Sequence, residues 1–197
     1  MRSNTWIPLK LIALLASVSI LASCGGSDSV KARVDHQSMT PDQAYVYALE
    51  MLQAEDYEQA LPLLQRANEK VGRSAEVIAN LGVAQAELGE YEKALENLKR
   101  ALGMSPGNLD IVNQIAVTYR MQGEFDKAKQ LYEKQIATHP QSARAHYNLG
   151  VLCELYLNNP SCALNHYKQF QALSATPDDT VKIWVQVLEA KVGQTGG

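Results

Sequence analysis

The sequence predicts an all-α array of stacked helix hairpins, and three observations carry that reading. Sliding the chain against itself by 34 residues brings Ala48, Gly82, Ala116 and Gly150 into one column, and Tyr47, Leu81, Ile115 and Leu149 into the column before it. A fixed period of this size marks a repeat protein. The same shift aligns Tyr57 with Tyr91 and Phe125, Ala60 with Ala94 and Ala128, and Leu64 with Leu98 and Tyr132, so chemistry is kept along with spacing. Each unit also holds two apolar periods of about 3.6 residues. They are parted at Leu88-Gly89-Glu90 and Gln122-Gly123-Glu124, where the Gly ends a first helix, and the units close in the column of Gly72, Pro106 and Pro140.

Taken in order, the elements begin at Thr40-Pro41-Asp42, with Thr40 as N-cap and Pro41 in the first turn. The first unit has Ala48 as its small residue, Glu55 in place of the interhelix Gly, and Pro62, which a helix accepts only near its start. In the second unit, Ala75 to Asn108, Gly82 and Ala94 face each other across the hairpin. Side chains this small let helix axes approach to the near end of the roughly 8–10 Å packing range. Leu81, Leu98 and Ala101 fill the space around the crossing, and Pro106 and Pro140 stop the second helices of their units. The fourth unit carries one extra residue in Leu157-Asn158-Asn159-Pro160-Ser161-Cys162, which makes Ala163 its small residue and Tyr167 and Phe170 its partners. Thr176-Pro177-Asp178-Asp179 is a further helix start, followed by the stripe Val181, Trp184, Val185 and Leu188. A solenoid end exposes an apolar face, so this last helix is expected to cover it and to present a polar outer side. Gln194 to Gly197 is expected to fray.

The pattern Leu-Gly, Gly-x-Tyr, Ala-x-x-x-Leu-x-x-Ala and closing Pro in Ala75 to Asn108 resembles the tetratricopeptide repeat. The resemblance implies a right-handed superhelical array of about four repeats, at about 41–74, 75–108, 109–142 and 143–177, with a capping helix over 178–193.

The start of the chain has a different character. Arg2 and Lys10 flank its beginning, and the apolar run Leu11 to Leu21 is too short to span a bilayer and long enough for a secretory signal. The run ends in Leu21-Ala22-Ser23-Cys24, which resembles the lipobox of bacterial lipoproteins. That resemblance implies a signal peptide over 1–23 and acylation of Cys24, whose thiol would take the diacylglycerol. Several acyl chains on one terminus anchor stably where one chain binds only marginally. Gly25 stands where the resemblance would put an Asp for inner-membrane retention, so an outer-membrane anchor facing the periplasm is expected. Residues 24–39 lack apolar periodicity and read as a flexible tether.

Composition narrows the chemistry. Without Arg2 and Lys10, 16 basic residues remain against 21 acidic ones, a balance near −5 that disfavours nucleic acid. The cluster Glu87, Glu90, Glu92 and Glu96 reads as a solvated helix surface. There is no His-Glu-x-x-His, phosphate-cradling Gly-rich loop, nucleophile elbow or Cys-x-x-Cys. His146 and His166 share the fourth repeat, but two imidazoles without a carboxylate or thiolate make a poor metal site. Neither cofactor, metal nor catalysis is expected. With Cys24 lipidated, Cys153 and Cys162 are an even pair in an oxidising compartment, and both a bridge and two buried free thiols remain open.

What remains is binding. By the family resemblance, the first helix of each repeat lines a concave groove, which places Tyr45, Leu49 and Leu52, then Asn80, Val83 and Glu87, then Asn113, Val117, Arg120 and Met121, then Tyr147, Asn148, Val151 and Leu155 toward a ligand. For the apolar members two readings stand, contact with a ligand or contact between neighbouring repeats. Asn80, Asn113 and Asn148 are expected outside the core, free to bond a peptide backbone. Val83 and Val117 stand where chaperone-binding members carry the Asn of a carboxylate clamp, so a C-terminal acidic motif is not the expected ligand. Signal and repeats together resemble the pilotin-like lipoproteins of type IV and Tad-type pilus and secretion assembly, which implies an adaptor for an envelope machine. The alternative implied by other envelope lipoproteins with these repeats is an adaptor for peptidoglycan-processing enzymes.

Overall fold

A computed structural model describes residues 38–69, 74–176 and 178–195. The expected signal segment over 1–23, Cys24, the expected tether up to residue 37, Gly72 and Pro177 lie outside these residues. Among the described residues the elements are α1 (Pro41–Gln53), α2 (Tyr57–Asn68), α3 (Ala75–Glu87), α4 (Tyr91–Met104), α5 (Leu109–Met121), α6 (Phe125–Thr138), α7 (Ala143–Leu155), α8 (Pro160–Leu173) and α9 (Asp179–Thr195). Consecutive helices pack on one another along the whole series, and α3 also touches α5.

Local chemistry sets the helix starts. Thr40, Asp56, Ser74, Asn108, Ser142 and Asn159 each accept a hydrogen bond from a backbone N–H two or three residues on, at the head of α1, α2, α3, α5, α7 and α8. Each such cap contributes about 1 kcal/mol. Thr40 and Gln43 complete a reciprocal capping box. The α9 start falls within the expected Thr176–Asp179 stretch, where Asp178 Oδ1 accepts from the N–H groups of Thr180 and Val181.

The hairpin turns share one closure. Glu90 N–H reaches back to the Gln85 carbonyl at 2.8 Å, Glu124 N–H to Tyr119 at 2.8 Å, and Asp56 N–H to Met51 at 2.9 Å. Each closure needs a left-handed residue before the returning N–H, supplied by Gly89 at φ 79° and Gly123 at φ 84°. Glu55 takes the same conformation at φ 56° without being a glycine, so the first hairpin keeps the geometry at a cost of about 1–2 kcal/mol. In the longer fourth hairpin Asn158 turns the chain at φ 46°, Asn159 caps α8, and Asn159 N–H bonds the Cys153 carbonyl at 2.8 Å. Cys153 and Cys162 are joined by a disulfide across this turn, with Cα atoms 5.8 Å apart. A bridge closing so short a loop contributes about 2–3 kcal/mol. Pro62 sits inside α2 rather than at its start, and the helix continues through it.

Packing is decided at the small-residue column. A Cβ added to Gly82 would lie 2.8 Å from Leu98 Cγ and 3.0 Å from the Ala94 carbonyl oxygen, and one added to Gly150 would lie 2.7 Å from the Tyr167 ring. Ala48 and Ala116, in the same column, are fully buried. The core is a string of clusters running along the array, from Ala44, Ala60 and Leu64 through Ile78, Leu98 and Ile115 to Tyr132, Leu149 and Tyr167.

The two ends are finished differently. Leu81, Ile115 and Leu149 are at most 5% exposed, whereas Tyr47 in their column is 43% exposed, with no hairpin before it among the described residues. Gln43 and Glu50 stand where the second repeat has Val77 and Ala84, so the first face mixes these polar groups with the exposed Val46 and Tyr47. At the other end Val181, Val185 and Leu188 of α9 are buried in the cluster around Leu149 and Tyr167. The outer side of α9 is only partly the polar one expected, because Ile183 and Val187 are more than half exposed there among Lys182, Gln186 and Glu189.

Glycines in this chain should respond to alanine with opposite signs. Gly150→Ala drives a methyl into the Tyr167 ring and should lower stability by about 1–3 kcal/mol. Gly103→Ala, in α4 with nothing within 4 Å of the added carbon, should raise it by about 0.5–1 kcal/mol. Urea unfolding midpoints of the two variants check both signs.

Candidate partner-binding groove

The first helices α1, α3, α5 and α7 present the residues expected to meet a ligand, and the structure sorts them into two groups. Leu155 is 67% exposed and Leu49 is also exposed, while Val83, Val117, Met121 and Val151 are half-buried. These apolar groups are therefore available in part to a partner. Val83 packs at its base against the core formed with Ile78 and Ile111, and Val151 against the cluster around Leu149. Contact between repeats and an open outer surface coexist on the same side chains.

The polar members behave differently from expectation. Asn113 is only 6% exposed, and its Oδ1 accepts from Asn148 Nδ2 of the next repeat. Asn80 Nδ2 donates to the Tyr45 hydroxyl at 3.1 Å. Asn113 thus lies in the core, where a buried amide must find a partner and the next repeat offers one, whereas Asn80 and Asn148 stay half-buried, each with one Nδ2 bond committed to a neighbouring repeat. Burial first, then the neighbouring Glu76 carboxylate, push the Tyr45 pKa well above the usual tyrosine value. Tyr147 is likewise engaged, with its ring 5.2 Å from Phe170 and 6.4 Å from Trp184. Arg120 Nη1 donates to the Tyr156 hydroxyl at 2.7 Å, and its guanidinium lies 5.3 Å from that ring. The result is a ladder of contacts between successive first helices, with apolar side chains left facing outward beside it.

Sequence reasoning missed one feature of this face. Between α3 and α5 opens a cavity of about 480 Å³, lined by Ala75, Glu76, Ala79, Asn80, Val83, Asn108, Asp110, Ile111 and Gln114 among others. Its signal was legible, because Ala79 stands in the 34-residue column of Tyr45, Asn113 and Tyr147.

On the far side of α7, His146 Nδ1 and His166 Nδ1 are 3.0 Å apart. One ring must offer a lone pair, so the pair holds at most one proton on these two atoms. Among the described residues no group of three His, Cys, Asp or Glu is placed to hold a metal ion, and no helix is long and apolar enough to cross a membrane.

Comparison with known proteins places this geometry. Tetratricopeptide-repeat family profiles match residues 48–108 and 85–152. The fold described here is that of a right-handed superhelical array of helix hairpins with a closing helix. The chain contains tetratricopeptide repeats. Among solved structures, one titled for the functional characterisation of Pseudomonas aeruginosa pilF is 24% identical with a TM-score of 0.65, covering 79% of this chain and 70% of that one. MamA from Desulfovibrio magneticus RS-1 is 17% identical with a TM-score of 0.61, covering 78% and 86%. MamA from MSR-1 is 20% identical with a TM-score of 0.56, covering 78% and 87%. At these identities the likeness is one of fold. No curated protein sequence matches the chain.

Protonation should loosen the fourth repeat. Burial first, then His146, lowers the His166 pKa below 6.5, partly offset by Glu133. The unfolded chain then binds more protons than the folded one near pH 6, so this contribution to stability is full above about pH 6.5 and is lost as pH falls below it. Unfolding midpoints should drop between about pH 7.5 and about pH 5.5, and His166→Gln should remove part of that drop.

Proposed function

We propose that the chain is a lipid-anchored adaptor of the outer membrane, facing the periplasm, that holds a partner polypeptide on the concave side of its repeats during assembly of an envelope machine of the pilus or secretion class. The observation that carries the reading is the row of outward apolar side chains along the first helices, Leu49, Val83, Val117, Val151 and Leu155, set beside rungs that are already bonded. A surface of this kind binds by burying apolar groups in a groove whose shape is fixed beforehand. Leu21-Ala22-Ser23-Cys24 supports the anchor, and the fold shared with the pilF structure supports the class of machine. The proposed role is scaffolding, with affinity from burial and no covalent step.

Two outcomes check the proposal. Cys24→Ser should move the protein from the membrane fraction to the soluble periplasm, and unchanged detergent partitioning would reject the anchor. Because Asn113 and Asn148 bond each other, the groove is better tested at its exposed leucines. Leu49→Asp with Leu155→Asp should leave circular dichroism unchanged yet reduce crosslinked partner capture in whole cells, each leucine giving up as much as about 1.5–3 kcal/mol of burial. Recovery of secretin or pilus components supports the assembly role, and recovery of murein hydrolases instead would replace it with the peptidoglycan reading.

A further inference from the structure

Three of the four first helices reach to the next through the same column. Tyr45 of α1 meets Asn80 of α3, Asn113 of α5 meets Asn148 of α7, and the Tyr147 ring of α7 stacks toward Trp184 of α9. The fourth member of the column is Ala79, whose methyl cannot cross to α5, and the 480 Å³ cavity lies at that missing rung. Its size falls within the range of about 300–1,000 Å³ typical of pockets that take small ligands.

The lining has a definite character. Ala75, Ala79, Val83 and Ile111 make an apolar floor, and the ionisable groups among the lining residues, Glu76 and Asp110, are both carboxylates. The α3 and α5 N-termini also open here, but their caps already occupy the first free N–H groups, with Ser74 Oγ on Val77 and Asn108 Oδ1 on Asp110 and Ile111. An anion would therefore meet two negative charges and find those donors taken. Asp110 already accepts the Arg144 guanidinium from the next repeat, so a basic group does sit at this rim.

We infer that the gap between α3 and α5 is an anchor pocket for a lysine or arginine side chain of the partner polypeptide, its aliphatic stem on the Ala79 floor and its cationic head between Glu76 and Asp110. Long basic side chains divide themselves in this way between apolar surface and a charged rim. The inference rests on the groove reading of the preceding subsection and adds the chemistry of one position in the bound segment. Exposed ion pairs contribute little alone, so burial of the stem gives affinity while the carboxylates choose the side chain.

The test is a random twelve-residue peptide library displayed on phage and selected on the full chain in detergent. Enriched peptides should carry lysine or arginine, and they should bind about tenfold or more weakly to Ala79→Tyr, which refills the column with the ring found at Tyr45 and Tyr147. The double variant Glu76→Gln, Asp110→Asn adds no bulk and should weaken the same peptides, so the proposal stays testable if the tyrosine disturbs folding. Enriched peptides without a basic residue, or basic peptides indifferent to both variants, would overturn the pocket. If such peptides are still lost with Leu49→Asp and Leu155→Asp, the groove stands and only the pocket falls. If nothing is enriched, or binding ignores every variant, both readings fall together.

Discussion

The close crossing of the two helices in each hairpin is the constraint on which the rest depends. Leu98 and the Ala94 carbonyl crowd the space where a Gly82 side chain would begin, and the Tyr167 ring does the same at Gly150. With a Cβ at either glycine the second helix could not lie so close against the first, and the apolar residues on either side of the crossing would not meet the next hairpin. Leu81 shows the dependence, since it stands beside Gly82 in the chain and packs into the cluster formed by Ala44, Ala60 and Leu64 of the preceding hairpin. One column sets the hairpin and its neighbour sets the stack.

Such an array grows by repetition and must be stopped by chemistry. At the first described face Gln43 and Glu50 bring polar groups in beside the exposed Val46 and a half-covered Tyr47. At the last the stop is a single helix, whose Val181, Val185 and Leu188 fill the place a fifth hairpin would take. The fourth hairpin, which must hold that helix, is also the irregular one. Asn158 in the left-handed conformation, the Asn159 cap and the Cys153–Cys162 disulfide together replace the Gly-containing turn used earlier in the chain.

Helices, their order and their crossings were legible in the sequence because they follow from period, caps and side-chain size, all of which are local. The free or bonded state of Asn113 was not. Its partner Asn148 lies 35 residues away, in the next column of the next repeat, and a period alone does not say which way a side chain leans. The apolar residues on the outer side of α9 escaped for a related reason, since the stripe Val181, Trp184, Val185 and Leu188 accounts for one side of the helix and Ile183 and Val187 belong to another. The cavity was the reverse case. Its cause, Ala79 among larger residues, is written in the column, but a small side chain means a void only when its neighbours are known not to fill it.

The bonds between successive first helices bear on how the groove can act. Tyr45 to Asn80, Asn113 to Asn148 and Arg120 to Tyr156 each tie one repeat to the next on the side where a partner would lie. Side chains held in this way lose little freedom on binding, and ordering costs that are already met do not subtract from affinity. Between α3 and α5, which touch through Val83 and Ile111, the column supplies only Ala79, and a cavity lined by Ala79 and Gln114 opens there. An occupant of that gap would take the place of the absent rung. Partner binding and the stacking of the second hairpin on the third would then draw on the same contact, and whatever the partner gains there the array gains as well.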